Sequence, residues 1–246
     1  MYRLIFGDCI EEMDKLISEG IIFDAIITDP PYEIGYAEWD GEFNWIEIVK
    51  RLKRLIKTNG NIIIFQGWSN VDKTKNILDK EFNLQNWIIY DRIKGRGTRK
   101  QLVSTREDIL WYCNGDNPTF HKIYSNIPKK TKGMGEKNGQ PNRALTNVWY
   151  DIPPLVPWSK EKVGHPTQKP IALMERCIKL WTSEGDLILD FTCGSGSTIL
   201  AAKKLNRRAV GIDNGYCTDE KSKYYGWKWT DVVIDRLNQI DRGVRG

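Results

Sequence analysis

The sequence predicts an α/β protein built on a doubly wound, mostly parallel β-sheet. Short apolar runs typical of buried strands alternate with segments whose apolar residues recur at helical spacing. Two of these runs end in distinctive turns, Asp29-Pro30-Pro31-Tyr32 and Phe191–Gly196. Residues 114–164 are rich in Asn, Gly, Pro and Lys and show little periodicity, which predicts an irregular insertion.

The first part of the chain alternates strands with helices. Strands are predicted over 2–6, 23–28, 61–65, 84–90 and 109–112, and helices over 10–17, 45–56 and 71–78. Thr58-Asn59-Gly60 is expected to end the second helix. The segment 94–100 places two glycines among basic residues and is predicted to be a loop.

Regular elements return after residue 164. Pro170 can open a helix that reaches Trp181, because proline is tolerated in a first helical turn. A strand over 187–190, a helix over 197–205, a strand over 208–213 and a helix over 231–240 follow. Within the insertion, four residues are expected to supply partial order: Trp149, Tyr150, Ile152 and Trp158.

Composition indicates a soluble protein with a basic middle segment. No apolar run is long enough to cross a membrane, and the N-terminus does not have the pattern of a secretion signal. Residues 92–143 carry 12 Lys and Arg against 4 Asp and Glu, whereas the whole chain has a formal net charge of +5. Such a segment indicates either nucleic-acid contact or a solvated basic loop. The 5 cysteines show no paired spacing and only 2 histidines accompany them, so we expect no metal site and a cytoplasmic location.

Aspartates and glycines stand where parallel strands end, which is where α/β sheets bind ligands. Four predicted strands finish at an aspartate: Asp8, Asp29, Asp190 and Asp213. Gly194 and Gly196 remove side chains where a backbone must approach a ligand closely. The turn lacks both the third glycine of a dinucleotide site and a Walker lysine, which disfavours a dehydrogenase and a nucleoside triphosphatase.

The turn Asp29-Pro30-Pro31-Tyr32 is suited to holding a planar amino group. The Asp29 carboxylate and the Pro30 carbonyl can each accept one hydrogen of that group, and Tyr32 can stack on a flat ring. This grip would leave the amino nitrogen facing a methyl donor. The alternative is a proline-terminated strand with a surface aspartate.

Four segments, in this order, resemble the beta class of S-adenosylmethionine-dependent DNA amino-methyltransferases. They are Gly7-Asp8-Cys9, Asp29-Pro30-Pro31-Tyr32, His165–Pro170, and Asp190–Ser197 with Gly211-Ile212-Asp213. The resemblance implies a circularly arranged class I, Rossmann-like methyltransferase fold. Residues 1–112 would form its catalytic half, 113–164 an insertion for target recognition, and 165–246 the cofactor half.

The same resemblance implies a binding site for S-adenosylmethionine, which leaves as S-adenosylhomocysteine. Asp8 and Cys9 would border the adenine, Asp213 would bind the ribose, and Asp29 would border the site. The methionine end would contact Gly194, Ser195 and Gly196, and the loop before the next helix would close over it with Thr167, Gln168, Lys169 and Pro170. Asp190, Thr192 and Cys193 would also belong to the cofactor site. Where the family usually carries an aromatic, this chain has Thr192, with Phe191 one residue earlier.

The implied reaction is a direct, in-line methyl transfer to a base flipped out of the duplex, catalysed by Asp29, Pro30, Pro31 and Tyr32. Within the family that the chain resembles, an aspartate before Pro-Pro-Tyr is more usual for adenine-N6 enzymes and a serine for cytosine-N4 enzymes, so the resemblance implies adenine. DNA contacts are expected from the basic residues nearest the strand ends: Lys94, Arg96, Arg99, Lys100 and Arg106.

Three alternatives stay open at this point. The first is a cytosine-N4 DNA methyltransferase, and the second is a glutamine- or RNA-modifying methyltransferase with a similar turn. The third is a catalytically silent DNA-binding module that keeps the fold. Besides DNA, the resemblance suggests a second copy of the chain and a cognate restriction endonuclease as partners.

Overall fold

The protein is described here from a computed structural model, which covers residues 2–35, 40–41, 43–96, 100, 102–128 and 141–243. Its strands are β1 (Tyr2–Phe6), β2 (Phe23–Thr28), β3 (Ile56–Gln66), β4 (Asn83–Arg96), β5 (Ser104–Cys113), β6 (Tyr124–Pro128), β7 (Asn142–Ala144), β8 (Val148–Trp149), β9 (Leu187–Asp190) and β10 (Arg208–Asp213). Its helices are α1 (Cys9–Ser18), α2 (Trp45–Leu55), α3 (Val71–Leu78), α4 (Ile171–Trp181), α5 (Ser197–Lys204) and α6 (Trp229–Asp241).

Eight strands form one mixed sheet in the order β1-β10-β9-β2-β3-β5-β4-β8, and β6 pairs with β7 separately. The first five strands of the sheet are parallel to one another: β1, β10, β9, β2 and β3. Strand β5 runs antiparallel to its two neighbours, β3 and β4. The early and late parts of the chain meet at the centre of the sheet, where Ile26 of β2 pairs with Leu189 of β9. The predicted α/β class with a mostly parallel, doubly wound sheet is confirmed.

Successive side chains of each strand enter two different cores, because strand residues alternate between the faces of a sheet. In β2, Ile27 packs with the core that contains α4, α5 and α6. The preceding residue, Ile26, packs with the core that contains α1, α2 and α3. The sheet is therefore covered on both faces, which leaves its strand ends as the accessible sites for a ligand.

The second helix ends earlier than predicted, and the next strand begins at once. Ile56 already belongs to β3, so Thr58-Asn59-Gly60 lies within a strand rather than in a helix-ending turn. Asn59 has φ = 61°, and the pairing of β3 with β2 shifts register in this region. The Asn59 N–H donates to the Asn114 carbonyl at 2.8 Å, which ties the irregular stretch to the residue that follows β5.

The predicted basic loop is partly strand. β4 continues to Arg96, which pairs with Ser104 of β5. The strand passes through Ile93, whose φ of 64° accompanies a register shift, and the Ile93 N–H donates to Asp91 Oδ1 at 2.7 Å. Pairing with β5 therefore outweighs the loop preference that the two glycines of segment 94–100 indicated.

The insertion contains more strand than its sequence predicts. β8 extends the main sheet by pairing with β4, with Trp149 opposite Tyr90. Trp149 and Ile152 are buried, as expected for ordering residues. Tyr150 and Trp158 are 53% and 78% exposed, so the ordering role expected of these two residues stays a prediction. No helix in the described ranges combines the length and apolarity that a membrane crossing requires.

Candidate active site

A cavity of about 410 Å³ opens where β1, β10, β9 and β2 end side by side. It is lined by the four aspartates that the sequence placed at strand ends: Asp8, Asp29, Asp190 and Asp213. The segment His165–Lys169, which precedes α4, lines it as well. The parallel sheet thus brings distant chain segments to one site.

Asp213 fixes the glycine turn at the edge of this first cavity. Its Oδ2 accepts the Gly194 N–H at 2.8 Å, and its Oδ1 accepts the Gly215 N–H at 2.8 Å. Burial raises the pKa of Asp213 above its ordinary value, although both backbone hydrogen bonds oppose that shift. The carboxylate is therefore rigidly placed, with further lone pairs that can accept from a ligand hydroxyl.

A second cavity of about 390 Å³ adjoins the first. Aromatic and charged side chains line it: Tyr32, Trp68, Tyr90, Arg92, Glu107 and Lys169. Asp29, Pro31 and the segment Pro166–Lys169 line both cavities. Asp29 therefore stands on a wall between two ligand-sized spaces.

Both oxygens of the Asp29 carboxylate already accept hydrogen bonds. The Tyr32 hydroxyl donates to Oδ1 at 2.7 Å, and the Lys169 ammonium donates to Oδ2 at 2.5 Å. The Lys169 Nζ also lies 3.5 Å from Glu107 Oε2 and 5.3 Å from the centre of the Tyr32 ring. Burial disfavours the charge on Lys169, but Asp29 and Glu107 outweigh it, so its pKa lies above the ordinary value.

Comparison with known proteins identifies the family. Residues 23–220 match the family model N6_N4_Mtase, which describes a DNA methylase. The chain belongs to this DNA methylase family. The family resemblance found in the motifs is thereby confirmed, and the finer assignment to the beta class stays a prediction.

Individual relatives agree with the match. Type II methyltransferase M.HpaI of Haemophilus parainfluenzae is 31% identical over 223 residues, which cover 86% of this chain and 69% of the relative. The DNA adenine methyltransferase YhdJ of Escherichia coli K12 is 30% identical over 231 residues, or 85% of this chain and 77% of the relative. Among solved structures, the M1.HpyAVI–SAM complex aligns with a TM-score of 0.68 at 26% identity, covering 96% of this chain and 100% of the other.

The glycine turn of this DNA methylase owes its glycines partly to packing within the protein. Gly194 and Gly196 have φ values of 47° and 81°. A Cβ on Gly196 would lie 2.4 Å from Val233 Cγ2 of α6, and one on Gly194 would lie 2.9 Å from His165 Nε2. Gly196 does not line the first cavity, so its packing role is observed and its cofactor contact stays a prediction.

Thr192 and Phe191 have different contacts at the place where the family resemblance implies an aromatic residue. The Thr192 hydroxyl lies 2.7 Å from the Thr28 hydroxyl and links the ends of β9 and β2. Phe191 is buried and stacks on Phe43, with ring centroids 6.4 Å apart and an interplanar angle of 11°. Both rings line the first cavity, so an aromatic surface is present although the residue at 192 is not aromatic.

Asp8 and Cys9 lie at the start of α1 on the cavity wall. Asp8 is the N-cap of the helix, and its Oδ1 accepts the Ile10 N–H at 2.9 Å. Burial raises the pKa of the Cys9 thiol to about 12, so the thiol stays protonated at neutral pH. This part of the cavity wall therefore has one carboxylate, from Asp8, beside one neutral thiol, from Cys9.

The loop before α4 makes contacts besides the predicted cofactor contacts, which stay a prediction. Thr167, Gln168 and Lys169 line the first cavity, whereas Pro170 lines the second cavity and is the N-cap residue of α4. Gln168 is used within the loop, since its Nε2 donates to the Glu161 carbonyl at 2.8 Å. The Lys169 ammonium points to Asp29, so this side chain belongs to the catalytic turn as much as to the cofactor side.

His165 is a neutral, packed side chain of the same loop. Its ring meets Trp229 edge-on, with centroids 4.7 Å apart. Burial lowers the pKa of His165 to about 3, and the charges of Lys169 and Arg236 act in the same direction. This histidine therefore contributes shape rather than charge to the first cavity.

The predicted DNA contacts that the structure describes fall at the turn end of the β4–β5 hairpin, where Arg96 pairs with Ser104. Arg106 lines the second cavity but is paired, since its Nη2 lies 2.6 Å from Asp108 Oδ1. Lys100 is exposed, and Lys94 and Arg96 belong to β4, although the structure describes only their backbone. Arg99 lies outside the described residues.

Glu107 and Arg92 are site residues that the sequence analysis missed. Both line the second cavity, and Arg92 Nη1 lies 3.3 Å from Glu107 Oε1. A signal was present, because Arg106-Glu107-Asp108 places three charged residues directly before the apolar run of a buried strand. Charged residues in such a strand are uncommon unless paired, and here they are paired.

Proposed function

We propose that this DNA methylase moves a methyl group from S-adenosylmethionine to the N6 amino group of adenine within a specific DNA sequence. The observation that carries the proposal is the position of Asp29 on the wall shared by the two cavities. Adenine is favoured because Asp29 precedes Pro-Pro-Tyr and because the E. coli relative is named a DNA adenine methyltransferase.

The residues of the first cavity fit S-adenosylmethionine. Its volume of about 410 Å³ lies within the range of small-molecule sites, roughly 300–1,000 Å³. Asp213 would hold the ribose hydroxyls, Asp8 and Cys9 would border the adenine, and Gly194 would allow close backbone approach. When bound there, the cofactor supplies an electrophilic methyl group on a sulfonium.

The second cavity would hold the target base after it leaves the duplex. An amino group inside a stacked pair is out of reach, so the base must be flipped into a pocket. Tyr32, Trp68 and Tyr90 provide aromatic faces in this cavity, and such faces bind planar rings well. Asp29 and the Pro30 carbonyl would then accept the two hydrogens of the amino group.

Asp29 would act mainly as an orienting acceptor. An exocyclic amine is barely basic, so a fixed carboxylate that aligns its nitrogen with the other cavity lowers the barrier by positioning and electrostatics. Proton removal would follow as positive charge develops on that nitrogen. The chain needs no metal or covalent intermediate for this sequence of events.

The proposal is tested by expression in a bacterium that lacks DNA methylation. Mass spectrometry of nucleosides together with single-molecule sequencing should show N6-methyladenine at one short sequence word. N4-methylcytosine in its place would establish the cytosine alternative. An unmethylated genome, with purified protein that does not bind S-adenosylmethionine, would favour the silent DNA-binding module.

Two substitutions should separate the two cavities. Asp29→Ala is expected to reduce the rate of methyl transfer by about 100-fold or more, because a preorganised polar group at the reacting centre is lost. Its affinity for the cofactor should stay within about twofold. Asp213→Ala should lower cofactor affinity by roughly tenfold or more, since it removes a charged acceptor and two hydrogen bonds that shape the turn.

Isothermal titration with S-adenosylhomocysteine and single-turnover methylation assays measure these two effects independently. If Asp29→Ala abolished cofactor binding, the assignment of separate cofactor and base cavities would be wrong.

We also infer from the family resemblance that the protein forms a homodimer and accompanies a restriction endonuclease. Light scattering of the purified protein tests the first of these.

A further inference from the structure

The Lys169 ammonium lies where a target amino group would have to bind. Its Nζ is 2.5 Å from Asp29 Oδ2, 3.3 Å from the Tyr32 hydroxyl and 3.5 Å from Glu107 Oε2. Tyr32 and Glu107 line the second cavity and not the first, so the ammonium lies on the base side of Asp29. A charged donor competes strongly with a neutral amino group for the same carboxylate.

The ammonium cannot simply leave for solvent. The Lys169 and Glu107 side chains are only 8% and 7% exposed. Removing one partner of a buried ion pair leaves an uncompensated charge, which is strongly unfavourable. A second acceptor inside the protein would allow Lys169 to release Asp29 without that penalty.

Glu107 offers such an acceptor. Its Oε1 is held by Arg92 at 3.3 Å. Among the side chains that the structure describes, its Oε2 is a buried oxygen without a hydrogen-bond partner, and it already lies 3.5 Å from Lys169 Nζ. Its contact with Lys169 is a long ion pair, so this oxygen can accept a closer hydrogen bond from the same ammonium.

We infer that Glu107 is a positioning residue for methyl transfer, which receives the Lys169 ammonium when the target base enters the second cavity. The ammonium exchanges one carboxylate for another and remains charged throughout, so no proton or bond is transferred. Asp29 Oδ2 then accepts a hydrogen bond from the amino group. This inference rests on the proposed function, because it concerns how the same site admits its base.

The test compares Glu107→Gln with Glu12→Gln. Glu12 is also a buried glutamate in an ion pair, with Lys15 Nζ at 2.6 Å, and it lines neither cavity, so it controls for the loss of a buried carboxylate. At saturating DNA and cofactor, Glu107→Gln should slow single-turnover methylation by about 10- to 100-fold, as expected for a charge-assisted contact. Glu12→Gln should stay within about twofold. Cofactor affinity by titration should match the wild type in both.

A double-mutant cycle separates positioning from a structural role. If Glu107 acts by receiving the ammonium, then Lys169→Gln with Glu107→Gln should be no slower than Lys169→Gln alone. Additive losses, or wild-type rates in Glu107→Gln, would overturn the inference. Should Glu107→Gln not fold by thermal melting, Glu107→Asp gives the same comparison and should retain part of the rate. Failure of the proposed function would differ, because the wild-type protein itself would not methylate DNA.

Discussion

Three aspartates at strand ends have different roles because their neighbours differ. Asp213 is fixed by two backbone N–H groups, and Asp29 is paired with a lysine and a tyrosine. Asp190 is 3% exposed, and burial raises its pKa to about 7, although hydrogen bonds from Thr198 and Thr28 oppose the shift. The same residue type at equivalent positions therefore supplies an anchor, an acceptor and a group that titrates near neutral pH.

The raised pKa of Asp190 predicts that the contribution of this carboxyl to stability falls as pH rises. In the unfolded chain an aspartate titrates near 4, so between about pH 4 and pH 7 position 190 binds more protons in the folded protein than in the unfolded chain. The lowered pKa of His165 acts in the opposite direction below about pH 6.5, so the contribution of Asp190 is measured as a difference between variants. Asp190→Asn should gain melting temperature relative to the wild type across this window, because the amide does not titrate.

Asp231→Asn, at an exposed position of α6, is the matched control for removing one aspartate. Its melting temperature should follow the wild-type pH dependence. A difference in melting temperature between Asp190→Asn and the wild type that stays constant from pH 5 to pH 7.5 would contradict the assignment of a buried, proton-binding carboxyl at 190.

At the scale of elements, helix α6 packs against the glycine turn at residues 194–196 and restrains its conformation. Arg236 is buried and donates from Nη1 to the Ser195 carbonyl at 2.5 Å. Val233 lies where a side chain at 196 would have to be. The conformation of the turn is therefore fixed by a helix that comes late in the chain as well as by its own glycines.

This packing predicts a large difference between two glycine substitutions. Gly185 and Gly196 have almost the same φ, 83° and 81°, but a Cβ on Gly185 has nothing within 4 Å. Gly185→Ala should therefore cost only the left-handed backbone penalty of about 1–2 kcal/mol. Gly196→Ala should cost about 1–3 kcal/mol more, because the methyl group overlaps Val233. Urea denaturation of both variants measures the difference, and equal midpoints would show that α6 does not restrain the turn.

At the scale of the whole molecule, periodicity predicted the strands of the parallel sheet and the aspartates at their ends. These predictions were possible because an apolar run and the aspartate that follows it lie within a few neighbouring residues. The contact between Asp29 and Lys169 joins residues 140 positions apart, and Glu107 reaches them only because β5 lies beside β3. Such a cluster depends on the order of strands, which local sequence patterns do not encode.

Sheet pairing also explains the local errors. The stretch from Ile56 to Gly60 carries helix-ending residues, yet it lies in β3 because β2 and residue 114 offer backbone partners. β8 reads as part of an irregular insertion, but it is held as an edge strand against β4. In both places tertiary contacts supply hydrogen bonds that outweigh a weak local preference.

Charge distribution over the whole molecule predicts where DNA lies. Residues 92–143 hold 12 basic residues against 4 acidic ones, and the β4–β5 hairpin brings the first part of this segment to the second cavity, which Ser104 and Arg106 line. If Lys94 and Arg96 contact phosphates, each contributes about 0.9 to the slope of log affinity against log salt concentration. Removing both as Lys94→Ala with Arg96→Ala should lower that slope by about 1.8.

The matched pair Lys50→Ala with Lys179→Ala removes the same charge from exposed positions of α2 and α4, away from either cavity. Its slope should equal that of the wild type in fluorescence anisotropy titrations from about 50 to 200 mM salt. A general loss of positive charge would weaken both pairs alike through the overall field of the protein. A lower slope for Lys94→Ala with Arg96→Ala alone would indicate that the DNA backbone binds beside the second cavity. Equal slopes for the two double variants would indicate that DNA binds to another face of the protein.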